Sequence, residues 1–204
     1  MSVLILDPML ASEYRNDRER EGLDFRDEVW DGVLVVPPNP NNEHQRLVLG
    51  LVVPFATLID RDNGDQALPG ANVSDREHGW KHNYRIPDVV VCLAGGAAKD
   101  CGTHFHGGPD LAVEIVSPGE DPLAKLDFYA KVGTRELIVL NRKPWALELY
   151  QLFAGRLVPA GRSEAAKSVV LASSVLPLTF ELRDAVPRPI VVVTHTVTGL
   201  TWTA

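Results

Sequence analysis

Three residues in the middle of the sequence have the types and spacing that metal-assisted chemistry needs. Asp88 opens the apolar run DVVVCL, Glu114 stands inside the next such run, DLAVEIVS, and Lys125 follows. A buried carboxylate without a partner is costly, so acids in apolar runs are usually paired with a cation or bound to a metal ion. Two such acids and a lysine therefore indicate a site for a divalent cation and an anionic substrate.

The expected cation is Mg²⁺, with Mn²⁺ as a substitute, because both ions accept oxygen ligands. Mg²⁺ takes one or two carboxylates and keeps several waters, so Asp88, Glu114 and the backbone carbonyl of Ile115 suffice as protein ligands. The alternative is structural: Asp88 caps its strand, and Glu114 forms an ion pair with a lysine or an arginine.

The two acids lie in segments that the sequence predicts as buried strands. The run behind Pro87 is short, β-branched and nearly continuous, and DLAVEIVS repeats that character. Such runs are typical of strands that are covered on both faces. In the second strand a period of two predicts one common face for Asp110, Ala112, Glu114 and Val116. Asp110 repeats the Pro-Asp pair and is a weaker candidate for contact with the metal.

Two elements are predicted upstream of these strands. The Asp31–Gly32 pair between two apolar runs predicts a β-hairpin with a tight turn. A loop rich in proline and asparagine then leads to apolar residues at helical spacing, which predict a helix over residues 42–60, kinked near Pro54.

The segment that carries Lys125 predicts a second helix. Asp121 is its expected cap, Pro122 its first residue, and Gly133 its end. On this helix Lys125 either pairs with Asp121 at i,i+4 spacing or reaches the acids, and the spacing alone leaves both interpretations open. Tyr129, one turn further along, either lines the cleft or packs in the core.

Several segments are similar to the Uma-type putative restriction endonuclease family, formerly a domain of unknown function, in the PD-(D/E)XK nuclease superfamily. They are DEVWDGVLVVPPNPNNEHQRL, YRIPDVVVCL, PDLAVEIVSPGEDPLAKLDFYAKVGTRELIVLN and LELYQL. The resemblance covers roughly residues 24–183. It implies an α/β fold with a restriction-endonuclease-like core, in which helices flank a central mixed β-sheet, with an N-terminal β-hairpin and extra C-terminal strands.

The resemblance also implies roles for individual residues. Asp88 and Glu114 correspond to metal ligands, and Glu43, on the first helix, is expected to approach the same site as a catalytic residue. Val116 occupies the position where an E-x-K motif would have its lysine. Lys125 is therefore the expected replacement, which would stabilise the attacking hydroxide and the charge that develops on the phosphate.

The chain is expected to have three parts. We expect an N-terminal arm over residues 1–23, a nuclease-like domain over 24–183, and a tail, an extra strand or a hairpin over 184–204. The sequence has no apolar run of membrane-spanning length and no basic leader, so neither a membrane span nor a secretory signal is expected. The expected location is the cytoplasm, and the two cysteines agree with a reducing compartment.

Charge and the remaining motifs limit the alternatives. The net charge of -7 and the absence of a lysine and arginine run would by themselves argue against DNA binding, but carboxylates that hold cations add negative charge, and a local basic face can coexist with a negative total. A zinc site built from Cys101, His104 and His106 has no standard spacing. A serine hydrolase using Ser117 lacks the G-x-S-x-G motif.

Together these observations predict a Mg²⁺-dependent endonuclease that hydrolyses phosphodiester bonds in nucleic acid, with DNA as the expected substrate. The alternative is a catalytically inactive nuclease-fold module that binds nucleic acid or a partner protein. A homodimer is a further expectation, because cleavage of both strands of a duplex needs two sites.

Overall fold

The computed structural model describes residues 2–117, 121 and 123–204. Its α-helices are α1 (Pro8–Glu21), α2 (Asn42–Leu58) and α3 (Leu126–Val132), and short 3-10 helices span Arg61–Asn63 and Trp80–His82. Among the described residues, no helix combines the length and the apolar character needed to cross a lipid bilayer.

The strands form three sheets, and the architecture is mixed α/β. In chain order the strands are β1 (Val3–Ile5), β2 (Glu28–Trp30), β3 (Val33–Val36), β4 (Gln66–Pro69), β5 (Val73–Ser74), β6 (Tyr84–Arg85), β7 (Val89–Cys92), β8 (Lys99–Asp100), β9 (Phe105–His106), β10 (Leu111–Ile115), β11 (Glu136–Arg142), β12 (Trp145–Phe153), β13 (Arg156–Glu164), β14 (Leu171–Ala172), β15 (Leu178–Arg183), β16 (Ile190–His195) and β17 (Thr201–Thr203).

The central sheet has the order β13-β12-β11-β10-β7-β4. It is mixed, because β10 runs parallel to β11 and antiparallel to β7. In the β7–β10 pair Val113 lies opposite Val89, so this register brings Asp88, at the start of β7, toward Glu114 near the end of β10. Both predicted strands are confirmed, and both are covered on their two faces.

One face of the central sheet packs against α2. Leu47, Leu51 and Phe55 on this helix are fully buried, and each such side chain contributes about 1.5–3 kcal/mol of hydrophobic stabilisation. The C-terminal sheet, in the order β14-β15-β16-β17, shares this core, and the ring of Phe180 lies 6.1 Å from that of Phe55. The strands over residues 184–204 therefore belong to a sheet that covers α2.

The other face of the central sheet packs against α3. Phe128, Tyr129 and Val132 on the helix belong to one buried hydrophobic cluster with Ala112 and Leu137 on the strands. Because Ala112 and Glu114 share a face of β10, Glu114 points to the side of the sheet that α3 covers.

The third sheet, called the N-terminal sheet below, has the order β1-β3-β2-β6-β5-β9-β8 and combines β1 and the hairpin with short strands from residues 73–106. The predicted hairpin is confirmed as β2 and β3, and Asp31 and Gly32 have φ values of 48° and 94°, the positive values that its tight turn requires. The edge strand β1 pairs with β3, and α1 is a surface helix that Arg18 ties to Asp27 at 2.6 Å.

The first predicted helix is confirmed as α2. Asn41 caps it by accepting a hydrogen bond from the His44 N–H, and Pro54 lies inside the helix. The second predicted helix begins later than expected, since α3 starts at Leu126 rather than next to Asp121.

The late start of α3 has a local cause. Asp121 accepts the Leu123 N–H at 2.9 Å through its side chain and the Ala124 N–H through its carbonyl, so the chain makes a turn before the helix. The expected first residue, Pro122, lies outside the described residues. Lys125 therefore stands at the N-cap position of a helix of seven residues, which ends at Gly133 as predicted.

Candidate active site

A cleft of about 440 Å³ lies where β7 begins and β10 ends. The hairpin, the loop after it, the first turn of α2 and the start of α3 form its walls. Its ionisable side chains include Arg26, Glu28, His44, Asp88, Glu114 and Lys125. The structure thus brings Asp88, Glu114 and Lys125 to one cleft, which Ile115 also lines.

Lys125 reaches the acids from the N-terminus of α3. Its Nζ lies 3.0 Å and 3.2 Å from the two oxygens of Glu114 and 2.9 Å from Oε1 of Glu28. The side chains of Lys125 and Glu114 are 20% and 14% exposed, so water screens their attraction poorly. The ammonium group is therefore paired with Glu114 and Glu28 rather than with Asp121.

Glu114 lies in an unusual electrostatic environment. Burial raises the pKa of Glu114 to about 7. The positive charge of Lys125 acts to lower this pKa, whereas the negative charges of Glu28 and Asp88 act to raise it. The hydroxyl of Tyr129 also donates to Glu114, and burial raises the pKa of Tyr129 well above its usual value. Ionisation of Glu114 is therefore balanced near neutral pH, and a bound cation would favour the carboxylate.

Lys125 remains charged in this environment. Burial acts to lower the pKa of its ammonium, but the charges of Glu114 and Glu28 outweigh that effect and raise the pKa above its ordinary value. Lys125 is thus a fixed positive charge rather than a proton acceptor.

Asp88 is held on both of its oxygens. Oδ1 lies 2.8 Å from Nε2 of His44, and Oδ2 accepts the Ile115 N–H at 2.7 Å. Nη1 of Arg26 approaches Oδ1 at 3.7 Å. These contacts link the start of β7 to α2 and to the end of β10, so the carboxylate has little freedom to rotate.

His44 is a site residue that the sequence analysis missed. It is buried, and its Nδ1 has no hydrogen-bond partner in the part of the chain that the structure describes. A signal for it exists in the sequence: His44 precedes Leu47, Val48 and Leu51 at helical spacing, which places it on the buried face of α2.

Glu43 was expected to approach the site, but its side chain lies away from the cleft. Its carboxylate lies 3.2 Å from Nη1 of Arg142 and 3.9 Å from Nε of Arg188, and it is not among the described residues that line the cleft. Successive residues of an α-helix are rotated by about 100°, so His44 faces Asp88 whereas Glu43 faces the two arginines.

Glu28 is the second site residue that the sequence analysis missed. Its Oε1 accepts the Ile86 N–H and the ammonium of Lys125, and its Oε2 accepts the indole N–H of Trp30 at 2.7 Å. Glu28 therefore fixes the hairpin to the start of α3 and positions Lys125.

The other acids and potential zinc ligands lie elsewhere. Asp110 accepts hydrogen bonds from the Leu93 N–H and from Arg135, and it does not line the cleft. His104 stacks on Trp80 and bonds to the carbonyl of Arg76. Within residues 2–117, 121 and 123–204, no three histidine, cysteine, aspartate or glutamate side chains group closely enough to ligate a metal ion.

The cleft residues nevertheless fit a hard divalent cation. Mg²⁺ needs one or two carboxylates and completes its shell with waters and substrate oxygens, which Asp88, Glu114 and the Ile115 carbonyl satisfy in number and type. Among the described residues that line the cleft, four carboxylates (Glu28, Asp88, Glu114 and Asp121) meet two permanently charged cations, Arg26 and Lys125. A divalent ion would therefore offset the excess of negative charge.

Comparisons with known proteins agree with this fold. The family model Uma2, described as a putative restriction endonuclease, matches residues 11–185. The chain belongs to the Uma2 family. The resemblance found in the sequence is thereby confirmed, and the match extends beyond the range of 24–183 that the motifs covered.

A solved structure adds support for the architecture of this Uma2 protein. The crystal structure of a putative nuclease belonging to DUF820 from Anabaena variabilis is similar to it, with a TM-score of 0.57 and 15% sequence identity. The similarity covers 73% of this chain and 82% of that chain, and at this identity it shows the fold alone. No curated protein matches the sequence.

Proposed function

We propose that this Uma2 protein is a metal-dependent nuclease that hydrolyses phosphodiester bonds in nucleic acid, with DNA as its substrate. The observation that carries this proposal is the position of Lys125, whose Nζ contacts both oxygens of Glu114 inside the cleft that Asp88 lines. This contact supports the proposal that Lys125, at the N-cap of α3, replaces the missing E-x-K lysine.

Asp88, Glu114 and the Ile115 carbonyl are the residues that would hold Mg²⁺ or, in its place, Mn²⁺. When bound, the ion supplies positive charge that activates a water molecule and offsets the charge that develops on the phosphate. His44 and the Ile115 N–H orient Asp88 toward this position, and the Tyr129 hydroxyl orients Glu114.

Lys125 acts on the substrate by charge. Its ammonium stays protonated, and Glu28 and Glu114 hold it at the floor of the cleft. An immobilised positive charge in a poorly solvated site stabilises negative charge that develops on a phosphate oxygen in the transition state. Because the position of the ammonium is set before substrate arrives, little reorganisation is needed during the reaction.

A second candidate is a catalytically inactive module that binds nucleic acid or a partner protein. One observation favours it: both oxygens of Glu114 already accept hydrogen bonds from Lys125, and one of them also accepts the Tyr129 hydroxyl. In that case the cleft is held by an internal ion pair instead of a cation.

Cleavage assays separate the two candidates. Supercoiled plasmid, single-stranded DNA and single-stranded RNA are incubated with Mg²⁺, Mn²⁺ or EDTA and the wild type, Asp88→Ala, Glu114→Ala or the exposed control Asp184→Asn. We expect cleavage of DNA by the wild type and the control, about 100-fold or more slower cleavage by the two site variants, and no cleavage in EDTA. Equal cleavage by all four proteins would exclude this site, and binding without cleavage would support the inactive module.

A further inference from the structure

We infer that the cleft accepts an unpaired nucleotide of a single-stranded nucleic acid rather than an intact duplex. This inference rests on the proposed function, because it takes the cleft to be a nuclease site. Three properties of the cleft support it: its size, the chemistry of its walls and its small number of cations.

The size of the cleft suits one nucleotide unit. Its volume of about 440 Å³ lies within the roughly 300–1,000 Å³ of pockets that enclose a single small ligand. The groups proposed for catalysis are not on a convex surface, since Asp88, Glu114 and Lys125 are mostly buried at its floor. A base of a stacked duplex enters a cleft of this size only if its nucleotide leaves the stack.

The walls of the cleft are apolar on the side that the N-terminal sheet provides. They include Leu4, Trp30, Pro37, Pro38 and Ile86. Every nucleobase has a flat apolar face, and proteins that bind single strands place aromatic side chains against it. These walls are therefore chemically suited to a base, and the acids beside them are suited to hydrolysis of the adjoining phosphodiester bond.

Trp30 is fixed in place before any ligand arrives. Its indole N–H donates to Glu28 at 2.7 Å, and the guanidinium of Arg85 lies 4.8 Å from its ring centroid. The side chain is nonetheless partly exposed to the cleft. A rigid and partly exposed aromatic wall costs little conformational entropy when a base packs against it.

The cleft offers few contacts to a phosphate backbone. Among its described lining residues, Arg26 and Lys125 carry permanent positive charges, and each faces a carboxylate. Proteins that bind duplex DNA commonly neutralise six to ten phosphates, which a chain with a net charge of -7 and no basic run is poorly suited to do. Affinity must therefore come largely from the base.

Binding and cleavage of three labelled oligonucleotides test this inference: a single strand, a blunt duplex and a duplex with a single-stranded overhang. Fluorescence anisotropy with Ca²⁺ in place of Mg²⁺ measures binding over a range of salt concentrations. We expect the single strand to bind at least about tenfold more tightly than the blunt duplex. The salt slope, which is the slope of the logarithm of the binding constant against the logarithm of the salt concentration, is expected near -1.4, the value for about two phosphate contacts with a single strand. With Mg²⁺, cleavage is expected in the overhang.

Variants of the wall assign this preference to the cleft. Trp30→Ala is expected to weaken single-strand binding about tenfold, whereas Trp30→Phe retains most of it. Leu4→Asp, on an edge strand where Leu4 is 57% exposed, is expected to weaken binding without unfolding the protein. Phe153→Ala is the matched control, because this exposed aromatic lies at the end of β12 and outside the described cleft lining.

The outcomes distinguish the inference from the proposed function. The inference would be overturned if the blunt duplex were cleaved as fast as single strands, or if the salt slope of binding were steeper than about -4. Neither result would contradict the proposed nuclease function. Wall variants that bind like the wild type, or a wild type that binds neither form, would also overturn the inference. Tight single-strand binding without cleavage in Mg²⁺ or Mn²⁺ would instead refute the proposed nuclease function. The inference that the cleft binds an unpaired nucleotide would then still stand.

Discussion

The sequence contains two Pro-Asp pairs, and each aspartate precedes a strand of the same buried β-strand pair. Asp88 precedes β7 and lines the cleft, whereas Asp110 precedes β10 and bonds to the Leu93 N–H and to Arg135. Because β7 and β10 are antiparallel, their starts lie at opposite ends of the pair. The five residues of β10 span about 17 Å, so one metal ion cannot contact both aspartates.

The difference shows that strand direction, and not the dipeptide, determines what each aspartate can do. Asp88 meets the end of β10, where Glu114 and α3 converge, and Asp110 meets the loop that follows β7. The first is available to a ligand in the cleft. The second satisfies backbone and side-chain donors in a structural role.

The largest expected effect is on activity and arises at the first aspartate. Asp88→Asn is expected to reduce nuclease activity by about 10²–10³-fold, because the neutral amide holds a divalent cation poorly. Single-turnover cleavage with Mg²⁺ measures this loss, and thermal melting verifies that the fold persists. Full activity in Asp88→Asn would contradict the functional role proposed for Asp88.

A smaller effect is expected when Asp88 loses its partner on α2. His44→Ala should weaken Mn²⁺ binding about 10–100-fold, because groups that orient a metal ligand contribute on this scale. Isothermal titration calorimetry provides this measurement without reliance on activity. Glu43→Gln is the adjacent control, since Glu43 pairs with Arg142, and an equal loss in that variant would contradict the placement of His44 as the positioning residue.

The second aspartate is expected to affect stability rather than catalysis. Asp110→Asn should lower the free energy of unfolding by about 1–3 kcal/mol, because a neutral amide cannot satisfy both the Leu93 N–H and Arg135 as the carboxylate does. Urea unfolding followed by circular dichroism measures the change. Cleavage per folded molecule should stay at the wild-type value, and a selective loss of catalysis would break the distinction between the two aspartates.

The smallest effect concerns the thiol at the end of β7. Burial and the negative charge of Asp110 raise the pKa of Cys92 to about 12, so at pH 8 it is almost wholly protonated and unreactive. Iodoacetamide at pH 8 should label Cys101 and leave Cys92 unmodified, as read by mass spectrometry. Asp110→Asn removes one of the charges that raise this pKa, so Cys92 should react faster in that variant, and unchanged protection would show that burial alone controls it.

The sequence predicted the elements whose signals are local. The hairpin at Asp31 and Gly32, the two buried strands and α2 all follow from patterns within a few residues, and the structure confirms them. The predicted start of α3 was wrong, because Asp121 accepts the N–H groups of Leu123 and Ala124 in a separate turn instead of capping the helix.

The candidate site was predictable in part for the same reason. The strands and the similarity to a known family pointed to Asp88, Glu114 and Lys125, whose assigned roles remain proposals. Glu28 and His44 were missed, because their contacts join residues far apart in sequence and leave no local pattern. Helical periodicity alone could have indicated His44, since it shows which of two adjacent residues faces the core.

The ion pair between Glu28 and Lys125 also has a consequence for the order of events during synthesis. These residues are 97 positions apart in the chain, and His44 and Asp88 are 44 apart. Contacts of such long range form late in folding, after the entropy of closing the intervening loops has been overcome. A nascent chain therefore has no assembled cleft until α3 has left the ribosome and docked, so any cleavage activity must await that docking.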